Sequence, residues 1–257
     1  MKNGSPRFKF AGHAIGLTAQ FHRLDKTDGL NHVVPTLAES RLPESGQRSE
    51  SRVDQPYRFH VDAPRSRCLV SVDGMQTWAE GRDLDDRFET EVCIDIAGLD
   101  VVEMLHIDSI RLHMCSSQTE LSDPVVTTDG YHIEGMRLGK VEARVTFDEE
   151  LLPAAGTEQQ FLKLHRGRGN DVPKVGERYQ SSVVKEIKLL GSEKDQTGMS
   201  VHGNTIVWKG FGRIILGEIH VKGHERQLTM VRLAMGSSAG GSAAAADGQS
   251  NGQPIVT

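Results

Sequence analysis

Met104-Leu105-His106-Ile107-Asp108-Ser109-Ile110-Arg111-Leu112-His113-Met114 alternates like a half-buried β-strand, but its alternation changes phase midway. Leu105 and Ile107 occupy odd positions, whereas Ile110, Leu112 and Met114 occupy even ones. Successive side chains of a strand point to opposite faces, so one flat strand cannot turn all five inward. The spacing predicts a bulge or a turn at Asp108-Ser109. The same slip recurs between Leu228 and Val231.

The end of this stretch also recurs. Ile110-Arg111-Leu112-His113-Met114-Cys115-Ser116-Ser117 returns as Val231-Arg232-Leu233-Ala234-Met235-Gly236-Ser237-Ser238. Weaker echoes keep the same order: Ile94-x-Ile96-x-Gly98 with Ile219-x-Val221-x-Gly223, and Ile15-x-Leu17-x-Ala19-x-Phe21 with Val141-x-Ala143-x-Val145-x-Phe147. Alternation alone matches almost any two strands, so the shared Arg-Leu-x-Met-x-Ser-Ser carries the reading. It points to a duplicated β unit closed each time by this strand, with Leu and Met inward and the serines leaving the sheet.

Strand patterns continue on both sides. They cover Arg7–Phe21, Tyr57–Val61, Cys68–Val72, Met75–Glu80 and Glu91–Ile96, with a hairpin expected at Asp73-Gly74. After Thr128-Asp129-Gly130 they resume at Tyr131–Ile133, Lys140–Phe147, Ser182–Leu190, Asn204–Trp208, Arg213–Lys222 and Gln227–Met235. One short helix is predicted at Glu158–His165, where Thr157 and Gln160 form a capping pattern. Parallel βαβ folds are thereby excluded. The expected fold is all-β, an antiparallel sandwich or a jelly-roll-like barrel, with two duplicated β units at 1–122 and 123–238. Residues 22–56 form a long polar insertion with Pro35, Pro43 and Pro56, read as a structureless arm. Residues 239–257 are Gly/Ser/Ala-rich and read as a flexible tail.

Composition narrows the function classes. A net charge of -5 over 257 residues gives no general affinity for nucleic acid. The apolar runs are too short for a transmembrane helix, and Met1-Lys2-Asn3-Gly4-Ser5-Pro6 lacks the apolar core of a secretory signal. No membrane partner and a cytoplasmic location are expected. Cys68, Cys93 and Cys115 are widely spaced, which fits buried core thiols and not a disulfide framework or a structural zinc site.

Chemistry-bearing patterns are few. His60-x-Asp62, His106-x-Asp108 and His132-x-Glu134 each place two side chains on one strand face. With one distant histidine, His202, His220 or His224, such a pair can hold a divalent transition metal such as iron or manganese. A solvated polar stripe on an outer sheet face explains the same residues, and no cofactor is otherwise expected. The run Glu80–Asp86 lacks calcium-loop spacing and reads as an exposed hairpin end. Arg166-Gly167-Arg168-Gly169-Asn170 offers Arg166 and Arg168 to an anion, but it follows a helix instead of preceding one. Neither Ser116-Ser117 nor Ser237-Ser238 sits in a nucleophile motif. Trp78 and Trp208 are placed to stack on a sugar or base, or to anchor a core. The tip Ile255-Val256-Thr257 is suited to adding a strand to another subunit's sheet. The leading expectation is a non-catalytic, self-associating structural protein whose partner is itself. A metal-dependent jelly-roll enzyme and a small-ligand or carbohydrate module are the alternatives.

Overall fold

The computed structural model describes residues 7–22, 31–61, 67–236 and 240–255. The chain begins with β1 (Phe8–His22), β2 (Asn31–Arg41), β3 (Ser49–Val53), β4 (Tyr57–Val61), β5 (Arg67–Val72), β6 (Gly74–Asp83), β7 (Phe88–Val101) and β8 (Leu105–Gln118). It continues through β9 (Val125–Thr127), β10 (Tyr131–Glu134), β11 (Met136–Leu138), β12 (Val141–Phe147), α1 (Leu151–Ala154) and α2 (Glu158–Gly167). It ends with β13 (Lys174–Val175), β14 (Arg178–Ser182), β15 (Val184–Leu190), β16 (Met199–His202), β17 (Thr205–Trp208), β18 (Gly212–Lys222), β19 (Glu225–Met235) and β20 (Gly240–Pro254).

The first sheet runs β13-β14-β18-β19-β20-β1-β2, with β17 also on β18 and β16 on β17. The second runs β15-β12-β11-β8-β7-β5-β4, with β6 between β7 and β3, and with β9 and β10 on β8. β1 and β20 lie across β6, β7 and β8, and one continuous apolar core joins both sheets. The fold is therefore an all-β antiparallel sandwich. Most connections stay within a sheet; the chain crosses only after β2, β12, β14 and β15, so the strand alternation of a jelly roll does not arise. The halves 1–122 and 123–238 do not correspond to the sheets, because β1 and β2 join the sheet built mainly from the later strands.

The phase slip is real and is shared. In the second sheet Asp73, Gly98, Asp108 and Gly135 stand in one row, and in the first Gly217, Met230, Ala246, Gly16 and Ala38 do. Alternate strands take left-handed backbone there: φ is 64° at Gly98, 62° at Gly135, 56° at Gly217, 52° at Ala246 and 49° at Ala38. Because neighbouring strands slip together, the pairing between β7 and β8 and between β18 and β19 keeps its register through the row. The expected irregularity at Asp108 and just after Leu228 is thus one row of a sheet-wide kink, and β8 and β19 continue through it. Asp73 and Asp108 fill the space over Gly98 and Gly135 that a Cβ would need.

Several expectations are corrected. Asp73-Gly74 is not a hairpin: β5 and β6 run end to end along β7, interrupted only by this row. The arm at 22–56 contains β2 and β3. The tail at 239–257 contains β20, which lies between β19 and β1 in the middle of the first sheet. Its small residues are what that position demands, since a Cβ on Gly248 would come within 2.8 Å of Leu112 Cδ2. Ala243, Ala245 and Ala246 are buried. The predicted helix forms as α2, with Thr157 Oγ1 accepting the Gln160 N–H at 3.1 Å, and the one-turn α1 precedes it. In the repeated run Leu112, Met114, Leu233 and Met235 are buried as expected. Ser116 and Ser117 do not leave the sheet, because they pair with β7 and β9; Ser237 and Ser238 lie outside the described residues.

Candidate functional site

A polar cluster built around a buried histidine lies on the outer face of the second sheet. The inward positions of β8 are Ile110, Leu112 and Met114, so His113 points outward, beside Cys93 of β7 and next to Trp78 of β6. Its side chain is only 5% exposed. The turn after β9 folds over it: Thr128 Oγ1 donates to the His113 carbonyl at 2.6 Å, and Gly130 N–H donates to Thr128 Oγ1 at 2.9 Å. Asp129 N–H donates to His113 Nδ1 at 2.8 Å, and Nε2 lies 2.7 Å from Glu91 Oε1. An acceptor at Nδ1 fixes the proton on Nε2, so the imidazole is neutral and donates to Glu91. Burial pushes its pKa below the usual value; Asp129 opposes this shift and Arg111 adds to it.

Glu91, His113 and Asp129 are close enough to share a metal ion. The tautomer argues against it. A metal at Nε2 requires the proton on Nδ1, where it would face the Asp129 N–H, whereas a metal-bound histidine normally donates its second N–H to an acceptor. Arg82 also pairs with Glu91, adding a cation beside the group. The cluster therefore acts as a clamp that fastens the 128–130 turn to β8. Sequence reasoning passed over it because Glu91 and Asp129 are remote in the chain. The one signal was His113 itself, which stands where the second copy of the run has Ala234.

The predicted metal pairs are placed otherwise. His106 Nε2 is 2.9 Å from Asp108 Oδ1, but Arg137 Nη2 also reaches that oxygen, at 3.2 Å. The His106 hydrogen bond, and then Arg137, hold Asp108 below the usual carboxylate range. His132 and Glu134 are linked through Ser109, at 3.4 and 3.3 Å. His60 sits on edge strand β4, and Asp62 lies outside the described residues. Among the described residues neither His202, His220 nor His224 joins these pairs in a metal-holding cluster. His220 instead meets the buried Glu218, which Arg232 and Gln180 also bind.

The other candidates are engaged as well. Arg168 pairs with Asp148 and with Glu150, the latter at 2.8 Å. It lines a cleft of about 700 Å³ between the end of α2 and β14, together with Asp148, Asp171 and Lys185. Two cations against two carboxylates leave that lining without the positive excess an anion needs. Arg166 is exposed and does not line the cleft. The Trp78 ring is covered by the Arg48 guanidinium, 4.5 Å from its centroid, and Trp208 stacks on Phe211. All three cysteines are free; burial pushes the Cys93 thiol up to about 12. Ile255 N–H donates to the Arg7 carbonyl at 2.9 Å, extending the chain's own β20–β1 ladder instead of another subunit's; Val256 and Thr257 lie outside the described residues. No helix among the described residues is long and apolar enough to cross a membrane.

These features define an antiparallel β-sandwich whose outer-face histidines and carboxylates are largely spent on one another. Residues 8–188 match the family described as Domain of unknown function (DUF8256), and the chain belongs to that family. The match stops before β16, so β20, which pairs with β1 on the side away from β2, lies beyond it. No curated protein matches the sequence.

Proposed function

We propose that this is a non-catalytic structural protein that works by associating with copies of itself. The observation that carries the reading is an uneven treatment of sheet edges. An edge strand offers unpaired backbone groups, and proteins blunt it with brevity, charge, proline or irregular backbone. β2 carries Pro35 and the left-handed Ala38. β15 exposes Lys185, Glu186 and Lys188. β3 carries the Glu50–Arg52 ion pair, and β9, β10, β13 and β16 are each four residues or fewer.

β4 is different. Its sequence Tyr57-Arg58-Phe59-His60-Val61 is made largely of strand formers, among the described residues it pairs only with β5, across a register shift in which Leu69 of β5 is the extra residue, and Arg58 is its single permanent charge. Tyr57 and Phe59 face the core beside Val72 and Val70 but are only half-buried, so among the described residues this side of the core is incompletely covered. We place the protein in the cytoplasm, a reading supported by three unpaired thiols. Size-exclusion chromatography with light scattering checks the association: a mass above the 28.2 kDa of one chain should appear and grow with concentration. A single-chain mass across the whole range rules it out.

A further inference from the structure

We propose that the cleft between the end of α2 and β14 is a binding site for an uncharged, hydroxyl-rich molecule of the saccharide class. The site is separate from self-association and does not rest on it. The cleft forms where the chain leaves the first sheet at the end of β14 and enters the second at β15. Gly217, in the kinked row, admits that crossing, since a Cβ there would come within 2.8 Å of Val183 and 2.9 Å of Val184. Val183 N–H donates to the Gly217 carbonyl at 2.8 Å, and the Val183 carbonyl accepts the Asp148 N–H at 2.7 Å. The crossing is thereby tied to both sheets. The last turn of α2 and the segment to Asp171 supply the opposite wall.

Volume and lining select the ligand class. About 700 Å³ lies within the range of small-molecule sites, most of which are apolar. Here Leu151, Pro173 and Val184 are the apolar members, and every other lining residue is polar or glycine. The balanced charges oppose an ion, while Asn170, Asp171, Ser181 and Lys185 make no side-chain hydrogen bond or ion pair among the described residues. Donors and acceptors are therefore both on offer. His165 narrows the choice. It is 7% exposed and packs edge-on to Phe161 at 4.8 Å. Neither ring nitrogen has a hydrogen-bond partner; Nε2 is enclosed and Nδ1 is not, so the ring opens towards the cleft that it lines. Burial, and then Arg168, push its pKa below the usual value against the pull of Asp148, which keeps the ring neutral. A hydroxyl both donates and accepts, so it satisfies Nδ1 in either tautomer; an ammonium only donates and a carboxylate only accepts.

A glycan array probed with the labelled full chain, followed by titration calorimetry on the best neutral oligosaccharide, tests this. Neutral glycans should bind in preference to sialylated or sulfated ones. His165→Phe keeps the ring and removes both nitrogens. Since neither is bonded within the chain, the melting temperature should not fall, while affinity drops roughly two- to tenfold. That split distinguishes a ligand contact from a packing role. Asp171→Ala, on the exposed rim, should weaken binding by a similar factor and remains informative if His165→Phe folds poorly. Arg166→Ala, exposed and outside the cleft, should leave binding unchanged. Failure to bind any neutral glycan, or binding that survives both His165→Phe and Asp171→Ala, overturns the site. Binding of acidic glycans alone overturns the ligand class. None of these results depends on the mass of the chain in solution, so self-association stands or falls separately.

Discussion

β20 and β4 occupy each other's expected places. β20 is built mainly from Gly, Ala, Ser, Gln and Asn, a composition that disfavours strands, yet it is fifteen residues long and paired on both sides in the middle of a sheet. β4 is built from Tyr, Phe, His, Arg and Val, a composition that favours strands, yet it is five residues at an edge. The difference teaches that position, more than propensity, decides what a strand's side chains are for. At the centre, where the two sheets face each other, side-chain volume is limited by the opposite sheet and small residues admit the approach. At the edge the described residues cover the strand only in part, and large residues there seal the core.

The largest expected effect comes from removing the strand that composition would discard. Deleting residues 240–257 leaves β1 and β19 without a shared partner and opens the core that Phe21, Leu17 and Leu233 line. The truncated chain should lose its cooperative thermal transition, read by circular dichroism and near-ultraviolet signal. A truncated chain that melts like the full one would return β20 to the status of a tail. Arg58→Glu on β4, by contrast, should leave the melting temperature where it is, since surface changes of this kind stay within about 0.5 kcal/mol.

A smaller effect separates volume from pairing within β20 itself. Gly248 stands between Leu228 and Ala14 on the core-facing side, under Leu112 of the opposite sheet. Gly248→Val improves strand propensity but needs space that Leu112 and Val92 occupy, so overpacking should cost about 1–3 kcal/mol. Chemical denaturation measures it as a lower midpoint at an unchanged slope. A neutral result would mean the two sheets can part here, and close approach would not explain the glycine.

The slip and the strands around it were legible because period-two alternation survives in any single sequence. Leu105, Ile107, Ile110, Leu112 and Met114 report the kink by themselves, and Thr157 with Gln160 reports the start of α2 in the same local way. What stayed hidden depended on neighbours distant in sequence. Asp73-Gly74 has hairpin chemistry, and only the placement of β7 beside both β5 and β6 turns it into part of a kinked row. Pro35 and the polar run after Phe21 resemble an arm until β1 is there to pair with β2. The site suffered most: short His-x-acid spacing drew attention to His106 and His132, while the buried imidazole of the cluster is His113, whose partners Glu91 and Asp129 come from β7 and from the turn after β9. β20 escapes a reading of composition because small residues suggest nothing to bury, whereas Ala243, Ala245, Ala246 and Gly248 are buried in the core.

The sharpest test of that last point has a small effect of opposite sign. Ala244 also lies on β20, but it pairs with Thr18 of β1 and Arg232 of β19 on the outer face, where no second sheet stands above it. If β20 is small only because of the space on its inner side, Ala244 is under no such limit. Threonine there gains a β-branched side chain next to Thr18 without meeting the core, and cross-strand pairs of this type contribute about 0.2–1 kcal/mol relative to alanine. Ala244→Thr should therefore raise the denaturation midpoint slightly while Gly248→Val lowers it, four positions away on the same strand. Should both substitutions destabilise, small residues are required on both faces of β20, and the outer face must itself be covered, by a neighbouring molecule or by a second copy.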